Sequence, residues 1–186
     1  MSSPRRTEAS VTDTSRQIRE VILSLGSNQG DRLAWLTRAV AELEQLPDTR
    51  ITARSPVYET EPVGVAPQFA NRFFLNCVVI VETATDPEAF SSAIHAIETR
   101  LGRIRGDQPN APRTVDIDIV AFGDLVAQDP DLTLPHPRCR ARRFVLQPLA
   151  DLRPDYRLPG DSKTVAERLR SLPEIPRVTR HVENGA

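Results

Sequence analysis

Four strand-like segments and two helical segments, arranged in a fixed order, constrain the fold of this chain more than any other feature. Short apolar runs bounded by turn-forming residues predict strands at residues 21–25, 51–58, 73–81 and 114–122. Apolar residues three or four positions apart predict a helix over residues 33–43 after the first strand. A second helix is predicted after the third strand, beginning at Asp86 and ending at Gly102.

This β-α-β-β-α-β order is that of the ferredoxin-like arrangement. The predicted fold class is therefore α+β, with a ferredoxin-like core whose mostly antiparallel sheet carries helices on one face, followed by C-terminal additions. We expect a single domain over residues 20–172, with a short helix at 164–172. We expect a disordered N-terminal tail at 1–19 and a C-terminal tail at 173–186.

The composition indicates a soluble globular protein and disfavours several kinds of partner. Of the 186 residues, 39% are hydrophobic and 26% are charged, and no apolar run reaches the roughly 18–20 residues needed to cross a bilayer. The N-terminal residues lack the apolar centre of a signal peptide, so we expect a cytoplasmic protein with no membrane partner. A net charge of −1 gives no general attraction to nucleic acid. Cys77 and Cys139 lack the spacing of a zinc site.

Two acidic residues interrupt the apolar strand at 114–122. Because side chains alternate along a strand, Asp116 and Asp118 are predicted to share one face. The opposite face is predicted to carry the apolar residues Val115, Ile117, Ile119 and Ala121. Two carboxylates at this spacing can bind Mg²⁺ or bracket a pair of metal ions. On these two residues alone, a solvated face of a half-exposed sheet is an equally good interpretation.

Arginines flank this strand on both sides in the sequence. The cluster before it contains Arg100, Arg103, Arg105 and Arg113, and the cluster after it contains Arg138, Arg140, Arg142 and Arg143. Guanidinium groups suit bidentate contacts with phosphate, so acids flanked by arginines favour a metal-bound polyphosphate over a metal alone. The common nucleotide motifs G-x-x-x-x-G-K-[ST] and G-x-G-x-x-G are absent from the sequence.

An aromatic ring and an amide alternate onto one face of the third strand. Phe74 and Asn76 are two residues apart, and together they suit a flat heterocycle, the ring by stacking and the amide by hydrogen bonding. Phe144 is a candidate for a second ring. Without further context, ordinary strand packing is the better explanation of these residues.

Six motifs follow one another between residues 21 and 160. They are Leu25-Gly-Ser-Asn28, Tyr58-Glu-Thr60 with Pro62 and Gly64, Phe74-Leu-Asn76, Gly102-Arg-Ile-Arg105, Ala111-Pro-Arg-Thr-Val-Asp-Ile-Asp118 and Leu134-Pro-His136. In this order they resemble the 6-hydroxymethyl-7,8-dihydropterin pyrophosphokinase family of folate biosynthesis, and the Pro-Arg-x-x-Asp-x-Asp element is the most specific of them.

The resemblance implies an ATP-dependent pyrophosphokinase. Such an enzyme transfers pyrophosphate from ATP to the hydroxymethyl group of the pterin and releases AMP. The resemblance further implies a ferredoxin-like fold, two small-molecule substrates, two Mg²⁺ ions bound by Asp116 and Asp118, and a monomer.

The resemblance also assigns residues to each ligand. The catalytic positions correspond to Arg103, Arg113, Asp116 and Asp118. The ATP-binding positions correspond to Glu98, Arg105, Thr133, His136 and Arg142. The pterin-binding positions correspond to Val63, Gly64, Phe74, Asn76 and Phe144, with the two phenylalanines on either side of the ring.

The sequence departs from the family pattern just before the Pro-Arg element. Family members often carry a basic residue and then an aromatic residue where this chain has Pro109 and Asn110. Two other classes of function remain as alternatives: a two-metal phosphoesterase acting on nucleic acid, and a non-catalytic ferredoxin-like module that binds a small ligand.

Overall fold

The predicted alternation of strands and helices is present in the computed structural model, which describes residues 17–62, 67–103, 112–129 and 132–182. The strands within these ranges are β1 (Arg19–Ser27), β2 (Thr49–Arg54), β3 (Tyr58–Thr60), β4 (Phe74–Thr83), β5 (Asp116–Phe122), β6 (Ala127–Gln128), β7 (Thr133–Leu134) and β8 (Val178–Arg180). The α-helices are α1 (Arg32–Glu44), α2 (Pro87–Arg100), α3 (Arg143–Leu152) and α4 (Val165–Ser171).

The main sheet is antiparallel and confirms the ferredoxin-like prediction. Its strands lie in the order β5-β1-β4-β3-β8, and β2 also pairs with β4. All five pairings are antiparallel. The short strands β6 and β7 form a separate two-stranded sheet. No helix in the described ranges is long and apolar enough to cross a membrane.

The strand predicted at 51–58 is in fact two strands. β2 ends at Arg54 and β3 begins at Tyr58, with Pro56 between them. Proline has no backbone N–H to donate to a neighbouring strand, which explains the break. Ser55 keeps the chain attached to β4, because its N–H donates to the Val78 carbonyl (2.9 Å) and its hydroxyl accepts from the Val78 N–H (2.9 Å).

Helices α1 and α2 cover one face of the sheet, here called the first face. α1 begins after Asp31, whose carboxylate accepts a hydrogen bond from the Ala34 N–H (3.0 Å). α2 begins after Asp86, as predicted, although this carboxylate makes no capping hydrogen bond. Gly102 follows the end of α2 with φ at +79°, a conformation that favours glycine. The larger of two hydrophobic clusters fills this interface.

Helix α3 covers part of the opposite face, here called the second face, and α4 packs against α3. Val145, Leu146 and Leu149 of α3 pack with Ile22 of β1 and Ile80 of β4 in the smaller hydrophobic cluster. These helices are the C-terminal additions expected from the sequence. α3 contains Pro148, which disfavours a helix in isolation, so burial against the sheet outweighs the loss of one backbone hydrogen bond.

A β-bulge in β5 changes which face its last residues occupy. The pairing with β1 shifts between Ile22, opposite Ala121, and Leu23, opposite Ile119, so Val120 is the extra residue. Ala121 therefore belongs to the second-face cluster, and Phe122 takes its place on the first face. The prediction that Ala121 shares a face with Ile117 and Ile119 is wrong for this reason.

Candidate active site

A cavity of about 520 Å³ lies on the second face of the sheet. Alternation along the strands explains the floor of this cavity. The floor is formed by residues of three neighbouring strands that share this face: Asp116 and Asp118 of β5, Gly26 of β1, and Phe74 and Asn76 of β4. Eight of the predicted site residues line the cavity: Phe74, Asn76, Arg103, Arg113, Asp116, Asp118, Arg142 and Phe144.

The two carboxylates of β5 are each held by arginine. Asp116 forms ion pairs with Arg103 and with the Arg113 Nε atom (3.2 Å). Asp118 forms an ion pair with the Arg142 Nη1 atom (3.1 Å). Both carboxylates remain partly exposed to the cavity, with 20% and 32% of their side-chain surfaces accessible. The acids and the arginines therefore neutralise one another in the absence of a ligand.

These carboxylates suit a metal ion only if phosphate oxygens complete its coordination. Among the residues that the structure describes, no cluster of three or more His, Cys, Asp or Glu side chains is arranged to hold a metal. Mg²⁺ is commonly bound by one or two carboxylates together with water and substrate phosphates. Asp116 and Asp118 provide that oxygen donor set, and they fit a metal that arrives with a polyphosphate.

Glu98 lies beneath the cavity rather than in its lining. Its carboxylate is only 2% exposed, accepts a hydrogen bond from the Ile117 N–H of β5 (2.8 Å) and forms an ion pair with Arg103. Charged groups are rarely buried without such partners. The structure thus places this predicted ATP-binding residue where it fixes the position of Arg103 relative to β5.

Phe74 and Phe144 bring two rings to the cavity from different elements, β4 and the first turn of α3. Each ring has a guanidinium carbon near it: Arg113 lies 5.8 Å from the Phe74 centroid, and Arg142 lies 5.3 Å from the Phe144 centroid. These distances are in the range of cation–π contacts. The arginines therefore connect the aromatic part of the cavity to its acidic part.

Asn76 is buried at the floor between two residues that the sequence did not single out for the site. Its Nδ2 donates to the Thr60 hydroxyl (2.7 Å), which leaves its Oδ1 directed toward β1. A Cβ atom at Gly26 would lie 2.7 Å from that Oδ1, closer than such contacts occur. Gly26 is therefore needed for the amide to occupy this position. Sequence reasoning missed both roles, because they depend on which strands become neighbours.

Asn28 fixes the start of the Pro-Arg element. Its Oδ1 accepts from the Arg113 N–H (2.9 Å), and its own N–H donates to the Arg113 carbonyl (3.3 Å). This reciprocal pair anchors Arg113 at the cavity. It gives a physical reason for the Gly-Ser-Asn motif that follows the first strand.

A second cavity, of about 180 Å³, contains the predicted ATP-binding residues Thr133 and His136. Asp118 lines both cavities. The His136 Nε2 lies 3.7 Å from the Asp118 Oδ2, and its Nδ1 accepts a hydrogen bond from the Arg138 N–H (3.1 Å). Burial lowers the pKa of His136, although the charge of Asp118 opposes this effect. The lowered pKa favours a neutral imidazole at neutral pH.

Several predicted residues lie outside the described ranges. They are Val63, Gly64 and Arg105, together with the departures from the family pattern at Pro109 and Asn110. Their assignments remain predictions from the sequence.

Comparison with known proteins identifies the kind of protein that this chain resembles. The family model described as 7,8-dihydro-6-hydroxymethylpterin-pyrophosphokinase (HPPK) matches residues 22–154. The 2-amino-4-hydroxy-6-hydroxymethyldihydropteridine pyrophosphokinase of Pseudomonas aeruginosa is 41% identical over 156 residues, which cover 84% of this chain and 93% of the relative. The protein of the same name from Bacillus subtilis is 41% identical over 130 residues, which cover 70% and 75%.

Solved structures agree on the fold. A Plasmodium falciparum HPPK-DHPS crystal structure matches 85% of this chain with a TM-score of 0.67 and 16% sequence identity. A crystal structure of HPPK-DHPS in complex with substrates matches 83% with a TM-score of 0.64 and 15% identity. This chain spans 46% and 43% of those longer chains, respectively.

Proposed function

The chain belongs to the 7,8-dihydro-6-hydroxymethylpterin-pyrophosphokinase family, and we propose how its cavity performs the family's reaction. The enzyme transfers pyrophosphate from ATP to the hydroxymethyl group of 6-hydroxymethyl-7,8-dihydropterin in folate biosynthesis and releases AMP. ATP is a co-substrate.

This proposal rests on the positions of a carboxylate, that of Asp116, and an amide, that of Asn76, on the floor of one cavity. Asp116, Gly26 and Asn76 are directly opposite one another on three adjacent strands. Neighbouring strands are about 4.8 Å apart, so the acid and the amide are separated by roughly 10 Å of backbone. This separation supports a heterocycle at one end of the floor and phosphates at the other, with only a glycine, which has no side chain, on the strand between them.

The aromatic end of the cavity is assigned to the pterin. Phe74 and Phe144 supply apolar ring faces for stacking, and Asn76 supplies an amide edge for hydrogen bonding. Val63 and Gly64 are assigned to the same ring edge from the family resemblance. The hydrogen bond from Asn76 to Thr60 holds the amide in one orientation before the pterin binds.

The acidic end is assigned to the triphosphate. Arg103, Arg113 and Arg142 are already next to the carboxylates and can exchange these ion pairs for phosphate oxygens when ATP arrives. Asp116 and Asp118 would hold Mg²⁺, proposed as two ions, which supplies positive charge to the phosphate oxygens. In the loaded site the arginines would pair with phosphate oxygens and the carboxylates would pair with the metal. Charge therefore remains balanced when ATP and Mg²⁺ bind.

The smaller cavity is assigned to a part of ATP other than the triphosphate groups held at the acidic end. Thr133 and His136 line it, and Asp118 connects it to the main cavity. Arg105 is assigned to ATP from the resemblance. Glu98 contributes by holding Arg103 in place.

The chemical step needs positioning and charge more than a covalent intermediate. The pterin hydroxyl oxygen attacks the β-phosphorus, the bond from that phosphorus to the α-β bridging oxygen breaks, and AMP leaves with the bonding electrons. The proton of the attacking hydroxyl passes to solvent water. The arginines stabilise the charge that develops on the phosphate oxygens, and the aromatic pair orients the hydroxymethyl group.

We also propose that the enzyme is a monomer, in a cytoplasmic location, with a single catalytic domain, which the sequence predicts at residues 20–172. These proposals derive from the sequence composition and the family resemblance. The pairing of β8 with β3 supports an extension of that domain to Arg180.

An AMP-release assay tests this function. Purified protein with ATP, Mg²⁺ and the hydroxymethyl dihydropterin should release AMP, and omission of any one of the three should abolish release. D118N should lower turnover by about a hundredfold to a thousandfold, because one of the two carboxylates that would hold Mg²⁺ at the phosphates is lost. D124N is the matched control, because Asp124 is exposed and lies outside both cavities. AMP release that does not require the pterin, or full activity in D118N, would contradict the assignment.

A further inference from the structure

Residues 172–176, here called the C-terminal strap, form part of the main cavity wall. Four of the five line it: Leu172, Pro173, Ile175 and Pro176. The strap follows α4 and precedes β8, and the match to the family model ends earlier, at residue 154. The wall is therefore built from a part of the chain that the family motifs do not include.

One end of the strap is attached beside Phe144. The Arg143 Nη1 atom donates to the carbonyls of Leu169 (3.4 Å), Leu172 (3.3 Å) and Pro173 (3.3 Å). Arg143 is the first residue of α3 and directly precedes Phe144. These bonds bring the start of the strap to the second aromatic ring.

The other end of the strap is attached beside β3. The Glu61 N–H donates to the Arg177 carbonyl (3.2 Å), and the Glu61 carboxylate accepts from the Arg177 N–H (3.0 Å). β8 then pairs with β3, with Val178 opposite Thr60. Thr60 is in turn opposite Phe74 on β4. The end of the strap therefore lies two strands from the first aromatic ring.

The sheet order separates the strap from the acidic end. β8 is four strands away from β5, which corresponds to roughly 19 Å at ordinary strand spacing. The strap thus spans from the Phe144 side to the Phe74 side of the cavity, at the end that carries Asn76 and Thr60. A ligand in contact with it would occupy the aromatic end.

Ile175 lines the cavity but is left largely uncovered by the part of the chain that the structure describes. Its surface is 75% exposed, although it is a large apolar residue that lines a cavity. A side chain so exposed contributes little to the folded state by its own burial. An apolar ligand surface placed in the cavity would cover it.

We propose that the C-terminal strap determines specificity for the acceptor, by packing its apolar side chains against the flat heterocycle held between Phe74 and Phe144. This inference rests on the proposed function of the cavity. An apolar wall favours an uncharged ring and disfavours an acceptor with a charged group in contact with Ile175, because the charge would lose water against an apolar side chain.

Substitution of Ile175 tests the proposal. I175A should raise the KM for the pterin by about tenfold or more, because several apolar carbons leave the contact, while the KM for ATP changes by less than about twofold. I175D should have a larger effect of the same kind. V182A is the matched control, because Val182 is also exposed (72%), follows the strap in sequence and does not line the cavity. Tm should be unchanged in all three.

A binding measurement separates failure of this proposal from failure of the proposed function. Calorimetry with Mg²⁺ and α,β-methylene-ATP, whose bridging carbon prevents AMP release, measures pterin binding without turnover. Weaker pterin binding in I175A than in V182A supports the strap whether or not the wild type releases AMP. Equal pterin affinity in the wild type, I175A and I175D would overturn the proposal, even if the wild type is an active pyrophosphokinase.

Discussion

At the scale of single residues, the site depends on small groups as much as on charged ones. Gly26 leaves the space that the Asn76 amide occupies, and Thr60 accepts the hydrogen bond that orients this amide. The alternation of β4 and β5 was sufficient to predict that Phe74 shares a face with Asn76, and Asp116 with Asp118. It was insufficient for Gly26 and Thr60, because their roles arise only when three separate strands become neighbours.

Phe74 provides a prediction at this scale. F74A should raise the KM for the pterin by about tenfold to a hundredfold, since stacking of a heterocycle on an aromatic side chain contributes about 1–3 kcal/mol. The KM for ATP should change far less. F73A is the matched control, because Phe73 is the preceding residue, is 41% exposed and does not line the cavity. Steady-state kinetics with each substrate varied in turn provides the measurement, and equal losses for both substrates would remove Phe74 from the pterin site.

At the scale of elements, the order of strands and helices was predictable and their local irregularities were not. The periodicity of apolar residues gave α1, α2, β1, β4 and β5 close to their observed positions. The bulge at Val120 has no counterpart in an alternating pattern, so the face of Ala121 was wrong. β8 has only three residues and depends on pairing with β3, which no local sequence pattern encodes.

The segment that carries Arg142 and Phe144 depends on a partly buried ion-pair cluster. The Asp161 side chain is fully buried and accepts hydrogen bonds from Arg140 (3.1 Å) and from two nitrogens of Arg168 (2.7 and 2.6 Å). Arg140 also donates to the Pro159 carbonyl (2.7 Å). The cluster thus connects the turn before α3 to the start of α4.

Asp161 provides a prediction of pH dependence. The hydrogen bond from Arg168 is the largest of the effects that lower the pKa of Asp161 to about 2. A carboxylate whose pKa is lower in the folded state stabilises that state above its ordinary pKa, and this contribution is lost as the pH falls toward 2. D161N should therefore reduce the free energy of unfolding by about 2 kcal/mol near neutral pH. The difference from the wild type should shrink below about pH 4.

Urea unfolding between about pH 7 and pH 3 measures this difference. D155N is the matched control, because Asp155 is exposed in the same part of the chain. A difference between D161N and the wild type that stays constant down to about pH 3 would show that the charge of Asp161 does not stabilise the fold.

At the scale of the whole molecule, the two faces of the sheet have different tasks. The first face is covered by α1 and α2 and forms the larger part of the core. The second face is covered by α3, against which α4 packs, at one end of its strands and lines the main cavity at the other. This division explains how an apolar strand carries two acids without a folding penalty: their face is open to the cavity at that end.

The second face also explains how distant parts of the chain meet in one site. Phe74, Asp116 and Phe144 lie far apart in sequence and line the same cavity. Family motifs could indicate that they act together, but not that the C-terminal strap completes their wall. That contact requires α4 and β8 to be placed by packing and edge pairing.

Labelled ATP distinguishes transfer of two phosphates as one unit from transfer of a single phosphate. Separate reactions with ATP labelled at the β-phosphorus and at the γ-phosphorus should each place the label on the pterin, in equal amounts that also equal the AMP released. Attack on the β-phosphorus predicts this result because the β-γ linkage stays intact. Transfer of the γ label alone, with ADP as the other product, would contradict the account.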